Sequence, residues 1–235
     1  SIAEVPMDAT VWIAVWAVSF LASHLIISSS FVRPRLINAV GEQPYRGIYS
    51  LVAFATLGPL IYEFASNKHA GPLLWYLRAI PPVRWLTWIL MLAALIFFVG
   101  AFITPNPGGM QPGGSTAPRG ILKITRHPSF VAFGLFGVAH MLMNGWAGDV
   151  IFFGIFPALG IIGGMHQDQR KLRDLGDSYR EFMAKTSMMP FAALFSGRVQ
   201  WSSADMPWAA IGTGIVVTAA IVALHPTIFG GNPLG

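Results

Sequence analysis

Six apolar runs decide what this chain can become: residues 10–32, 47–65, 83–103, 128–146, 148–166 and 207–229. Each is long enough, at about 1.5 Å per helical residue, to cross or nearly cross the roughly 30 Å of bilayer hydrocarbon. In lipid every backbone N–H and C=O must be paired within the protein, so runs of this length fold as helices. An all-α, polytopic membrane bundle of about six helices follows. No sequence repeat is visible, and the whole of 1–235 reads as one transmembrane domain.

Composition agrees. Hydrophobic residues make up 54% of the chain and charged ones 11%, with mean hydropathy +0.59, against about a quarter charged in a soluble domain. The formal charge of +5 does not mark a nucleic-acid binder, because the basic residues sit in short loops between apolar runs. With no cysteine, disulfides, thiolate metal ligands, iron–sulfur clusters and covalent haem attachment are excluded. The first residues carry Glu4 and Asp8 rather than a basic stretch, so the first run reads as a retained span, not a cleaved leader.

The connections carry the remaining signals. Residues 33–46, with Gly41 and Pro44, read as a polar, turn-rich loop, and 66–84 as a loop with interfacial tryptophans. His69 there reads as solvated. Residues 104–120, rich in Pro and Gly, read as a mobile loop. Within the interfacial segment 167–206, Leu172, Leu175, Tyr179, Phe182 and Met183 recur at helical spacing, predicting a cytoplasmic amphipathic helix on the membrane surface. Gly134, Gly137, Gly160 and Gly164 predict a close hairpin of the fourth and fifth spans. Loops after spans one, three and five hold twelve of the fifteen Lys and Arg residues. That places those loops in the cytoplasm and both termini outside, in a bacterial inner membrane.

Histidines supply the chemistry. His127 lies just ahead of Pro128, which suits a first helical turn. His140 is thirteen residues on, roughly 20 Å along the axis, so the two cannot share one metal. From the cytoplasmic span ends, His140 lies about 18 Å deep, His24 about 12 Å, His225 about 27 Å and His166 about 0 Å. His24 is the best partner by depth, His225 a second choice and His166 the worst. Two imidazoles on facing helices suit the axial positions of a non-covalent haem b. The alternative for each is a hydrogen bond across a helix interface. Met141 and Met143 read as packing.

Two resemblances add to this. The stretch from RGILKITRHPSF through HQDQRKLRDLGDSYREF to TSMMPF resembles the isoprenylcysteine and phospholipid methyltransferases. There an RHP hairpin and a pair of acids hold S-adenosylmethionine, which implies cofactor contacts for Arg126 and His127. The paired acids fall here on Asp168 and Gln169. Read without that likeness, RHP is a helix start, with Arg126 reaching to headgroups and His127 capping, and Asp168 is part of a surface charge cluster. A second resemblance covers most of the chain. H-x-x-I-S-S-S at 24–30, RGIYSL, TRHP, the Ala139-His140 pair and TS-x-x-PFAA resemble the NnrU family, whose plant relatives are the 15-cis-ζ-carotene isomerases. That likeness implies haem b held by His24 and His140, which would be both metal ligands and catalytic residues. Where the plant relatives have a cysteine three residues before the second histidine, this chain has Gly137. The functions implied are a redox-dependent isomerase of a carotenoid-like polyene or a haem protein of nitric oxide and nitrite metabolism. A methyltransferase and a subunit of a larger membrane complex are the other readings. The partners are the lipid bilayer, an apolar substrate or nitric oxide, and further membrane subunits, with no nucleic acid.

Overall fold

The computed structural model describes residues 7–108 and 117–233. Among the described residues the chain forms ten α-helices and no strand; a single antiparallel bridge joins Leu73 to Trp146. Five helices are long and apolar enough to cross a membrane: Ala9–Ser28 within α1 (Met7–Ser28), α3 (Glu42–Ser66), α4 (Pro81–Ile103), α7 (Ala147–Leu175) and α10 (Trp208–Phe229). The remaining expected span is α6 (Pro128–Met143), apolar but only 16 residues, or about 24 Å. It stops early because Asn144 and Gly145 follow. Large apolar side chains face outward, Leu51 (70% exposed) and Phe54 (72%) among them, as a lipid-facing surface requires.

Three connections differ from the sequence reading. Residues 33–46 are mostly helical: α2 (Val32–Val40) fills the expected loop, and α3 starts at Glu42 after Gly41, whose φ is +88°. Pro34 falls in the first turn of α2, where its missing N–H interrupts nothing. The fifth span does not end at His166. It runs on through 167–175 because no Gly or Pro intervenes until Gly176, at φ +59°. The amphipathic pattern is thereby divided between α7 and α8 (Asp177–Lys185). On α8, Tyr179 and Phe182 are fully buried against Phe97, Ile121, Leu122 and Ala132, so this face is covered by protein. Of the expected mobile loop, residues 109–116 lie outside the described residues. Its flank is pinned: Asn106 is buried, its Nδ2 donates to the Arg126 carbonyl at 2.9 Å, and its Oδ1 accepts from the Gly108 N–H at 2.9 Å.

The chain divides into two compact units, Ser1–Thr87 with Gly137–Arg170, and Trp88–Phe136 with Lys171–Gly235. In the first, the segment after α3 is laced to the α6–α7 turn. N–H groups of Leu74, Ala147 and Gly148 donate to carbonyls of Gly145, Pro72 and Ala70 at 2.8–3.0 Å, and Trp75 Nε1 donates to the Met141 carbonyl at 2.9 Å. His69, expected in solvent, is exposed (side chain 46%) and is also tied into this lacing. Its Nδ1 lies 2.6 Å from Oδ2 of the buried Asp149, its own N–H donates to Oδ1 at 3.2 Å, and its ring packs on Trp146 at 4.3 Å. The partner is eighty residues away in sequence, so nothing local announced it.

In the second unit, α5 (Ile121–Ile124) packs on α9 (Ala192–Phe195). The chain around Thr125 pairs with 187–191: Arg126 N–H donates to the Ser187 carbonyl at 2.9 Å, Thr125 Oγ1 to that of Met188 at 2.8 Å, and Phe191 N–H to that of Ile124 at 2.8 Å. The TRHP and TS-x-x-PF motifs are thus two sides of one backbone junction.

Candidate functional site

His24 sits one turn before the end of α1, half-buried, with its backbone held by Ser28, whose Oγ donates to the His24 carbonyl at 2.7 Å. Its ring meets Tyr49 of α3, whose hydroxyl lies 2.7 Å from Nε2 and 3.1 Å from Nδ1. Phe20, one turn earlier, packs on the same ring at 5.2 Å. Tyr45, one turn before Tyr49, stacks on it at 6.1 Å and donates to the Ile27 carbonyl at 3.2 Å. Arg33 lies 5.6 Å over the Tyr45 ring. An imidazole in an apolar helix needs a polar partner, and Tyr49 supplies it while fixing the ring's direction. The sequence reading overlooked Tyr49; the RGIYSL motif was its only signal.

His140 stands in the last turn of α6. Asn144 fixes that turn from two directions, with its N–H and its Nδ2 both donating to the His140 carbonyl, at 2.9 and 3.0 Å. The imidazole stacks on Phe153 of α7, centroids 4.6 Å apart and planes inclined by 24°. Gly137, one turn earlier, sets this geometry. A Cβ there would come 2.5 Å from the Phe153 carbonyl oxygen and 2.6 Å from Pro157 Cδ. Pro157 has no N–H to offer the carbonyl four residues before it, which is that of Phe153, and this carbonyl faces the bare Gly137. The glycine and the proline together let α6 and α7 meet closely enough to stack the ring.

His24 and His140 lie in the same unit, each with a separate partner. Contacts along α7 give their relative depth. Ile13 Cδ1 touches the position of a Cβ on Gly148, and His24 is eleven residues beyond Ile13, about 16 Å. Phe153, the level of His140, is five residues beyond Gly148, about 8 Å. The offset is on the order of 10 Å. Side chains lean toward their own helix N-terminus. α1 and α7 begin at the 69–75 segment and α6 ends there, so along the axis both side chains are inclined into the interval between the two levels.

The other histidines fall elsewhere. His225, in the second unit, has Nδ1 2.6 Å from the Gly231 carbonyl near the end of α10. His166, on α7, has a buried Nδ1 without a hydrogen-bond partner. His127 is buried, and as the residue ahead of α6 it gives its N–H to Thr125 Oγ1 at 3.2 Å and its carbonyl to the Val131 N–H at 3.0 Å. The helix start at Pro128 is as the sequence predicts. Asp168 is buried, not part of a surface charge cluster, because α7 continues past it. Among the described residues no three His, Cys, Asp or Glu side chains gather as a metal site.

The family model described as NnrU protein matches residues 12–233, nearly the whole chain. The chain belongs to the NnrU family. This NnrU chain is 26% identical over 166 residues to the chloroplastic 15-cis-zeta-carotene isomerase of Arabidopsis thaliana, and 27% identical over 166 residues to that of Zea mays. Each match takes in 68% of this chain and 44% of the relative, so the chain spans less than half the length of the curated relatives it matches. No solved structure matches. His24, Tyr49, Gly137 and His140 all lie within the family match.

Proposed function

We propose that this NnrU-family protein is a membrane-embedded cis–trans isomerase of a carotenoid-like polyene, with haem b held between His24 and His140. The family match and the relatives named for carotene isomerisation support the substrate class. The observation that carries the site is the pair of half-buried imidazoles in one unit, each oriented by a dedicated neighbour. In this reading the protein is multi-pass with both termini on the non-cytoplasmic side, as the loop charges favour.

The residues divide the work. Tyr49 holds the His24 ring in one direction through its hydroxyl. Asn144 and Phe153 hold His140 in place and in plane. The apolar helices exclude water and admit a hydrocarbon directly from the bilayer. When bound, haem b would supply an iron centre able to perturb the electrons of a nearby double bond and lower its barrier to rotation. Gly137 leaves no thiol beside His140, so His24 and His140 are the residues that would hold the group, with Tyr49 as the polar partner of the His24 ring.

The test is isomer composition. In dark-grown cells that accumulate 15-cis-ζ-carotene, expression of the chain should deplete the 15-cis isomer, and His24→Ala or His140→Ala should abolish the depletion. An unchanged isomer ratio with the wild-type protein present in the membrane refutes the isomerase.

A further inference from the structure

Residues 186–204 carry a single charged side chain, Arg198, yet the middle of the stretch lies at the surface of the second unit. Met189 is 69% exposed and Phe195 87%, and Phe191 and Trp201 are open as well. Apolar side chains gathered on a surface mark contact with a partner or a membrane. The sequence pattern assigned the membrane contact of this region to an amphipathic helix, but Tyr179 and Phe182 of α8 are turned into the protein. The exposed apolar surface of the region is on the turn that follows α8.

This turn is fastened at both ends to one short stretch, 123–125. Phe191 N–H donates to the Ile124 carbonyl and Thr125 Oγ1 to that of Met188, each at 2.8 Å, just ahead of α6. Lys123 Nζ donates to the Gln200 carbonyl and to Asp205 Oδ2, each at 2.8 Å, just ahead of α10. The residues between these anchors therefore stand at the level where α6 and α10, both apolar, begin. Phe191 has a left-handed backbone, φ +65° and ψ −8°, which an aromatic residue seldom adopts. From it α9 starts, and one helical turn later Phe195 falls beside it, ring centroids 6.2 Å apart, so the two rings form the tip of the turn.

Backbone pairing and continuity with the membrane helices select lipid as what meets these rings. Backbone N–H and C=O groups cannot face hydrocarbon unpaired, and the turn finds partners within itself. N–H groups of Phe195, Ser196, Gly197 and Arg198 donate to the carbonyls of Phe191, Ala192, Leu194 and Ala193 at 2.9–3.1 Å, and that of Ala193 donates to Ser187 Oγ at 3.0 Å. A protein partner makes no such demand, because it supplies hydrogen bonds of its own. Trp208, 67% exposed, opens the membrane helix α10, with Trp201 just before it, and tryptophans gather at the bilayer boundary. The charges agree. No carboxylate lies in 186–204, Arg198 is exposed while donating to the Thr186 carbonyl and Ser196 Oγ at 2.9 Å, and Arg119 is exposed two residues before α5. We propose that residues 188–197 are inserted in the bilayer boundary, with Met189, Phe191 and Phe195 among the upper acyl carbons and Arg119 and Arg198 at the phosphates. The turn is then a lipid-gripping foot that fixes the level of α6 and α10 in the membrane.

The test is immersion depth, and the absence of cysteine from the chain makes single labelling clean. Met189→Cys and Phe195→Cys are each spin-labelled, purified and reconstituted sparsely in phosphatidylcholine vesicles. Val216→Cys, exposed on α10, and Arg180→Cys, exposed on α8, are the lipid and water references. Collision of the label with oxygen, which concentrates in lipid, is compared with collision with a water-soluble nickel chelate. Fold is checked by circular dichroism and gel filtration, and two positions on the turn are labelled so that either alone decides. Both labels on the turn should favour oxygen, as the Val216 label does, with nickel collisions at least about five-fold rarer than at Arg180. Labels on the turn that nickel reaches as freely as it reaches Arg180 overturn the proposal. So do labels shielded from both reagents, which would mean that protein, a second copy included, covers the rings.

Discussion

Replacing Gly137 by alanine adds one methyl at the tightest point of the α6–α7 hairpin. That carbon would stand 2.5 Å from the Phe153 carbonyl oxygen, 2.6 Å from Pro157 Cδ and 3.0 Å from Phe156 Cβ. None of these belongs to a side chain that can swing away. Ordinary contact therefore requires the helices to part by about 1 Å. Overpacking of this kind costs about 1–3 kcal/mol, against the roughly 1 kcal/mol that Gly→Ala gains inside a helix. The difference is about 0–2 kcal/mol on the side of strain, and because the contacts on Gly137 are backbone and ring atoms the upper end applies, with the parting moving His140 off Phe153. Gly154→Ala is the internal control, because its new carbon meets only Met141 Sδ, at 3.8 Å, and should be neutral or mildly stabilising. Thermal unfolding in detergent should show Gly137→Ala lower than wild type by a few degrees and Gly154→Ala equal or higher. A Gly137→Ala protein as stable as Gly154→Ala would refute the close approach as the support of His140. The same geometry predicts that Gly137→Cys places no thiol beside His140 without separating the helices.

Three further outcomes follow from the contacts. His69→Ala leaves the buried Asp149 carboxylate with only a backbone donor and should cost about 2–3 kcal/mol, read as faster proteolysis of the 69–75 segment. Tyr49→Phe removes the hydroxyl from His24 and should lower stability by about 1 kcal/mol, read as a lower unfolding midpoint with unchanged helix content. Burial pushes the Asp205 carboxyl up, but hydrogen bonds from Lys123 and from the side chain and backbone of Ser202, with the Lys123 charge, hold it down at about 2 against an ordinary 3.8. Its folded-state value is depressed, so the stability it contributes is full above about pH 4 and is lost as the pH falls toward 2. Unfolding midpoints at pH 5 and pH 2.5 should differ less in Lys123→Met than in wild type.

Legibility in the sequence followed the range of the physics. Spans were readable because an apolar run long enough for the bilayer has few other ways to fold, and the start of α6 was readable because Pro128 suits only a first turn. The helical stretch 32–40 was missed because polarity resembles a loop when the flanking Gly41 is not weighed, and Leu172 and Leu175 were read as part of a separate surface helix because the break at Gly176 was not weighed. His24 and His140 stood out as ionisable groups within apolar runs. Their neighbours did not: Tyr49, Asn144 and Phe153 are ordinary residues whose role exists only in three dimensions. The same holds for the His69–Asp149 pair and for the Gly137–Pro157 contact.

The most direct test of the central claim is the absorption spectrum of the purified protein, oxidised and then reduced with dithionite, for wild type, His24→Ala and His140→Ala. The account predicts a low-spin b-type haem spectrum in wild type that either substitution abolishes or converts to high spin. Wild-type protein that is folded yet colourless after production with ample haem, or a spectrum indifferent to both substitutions, would contradict it.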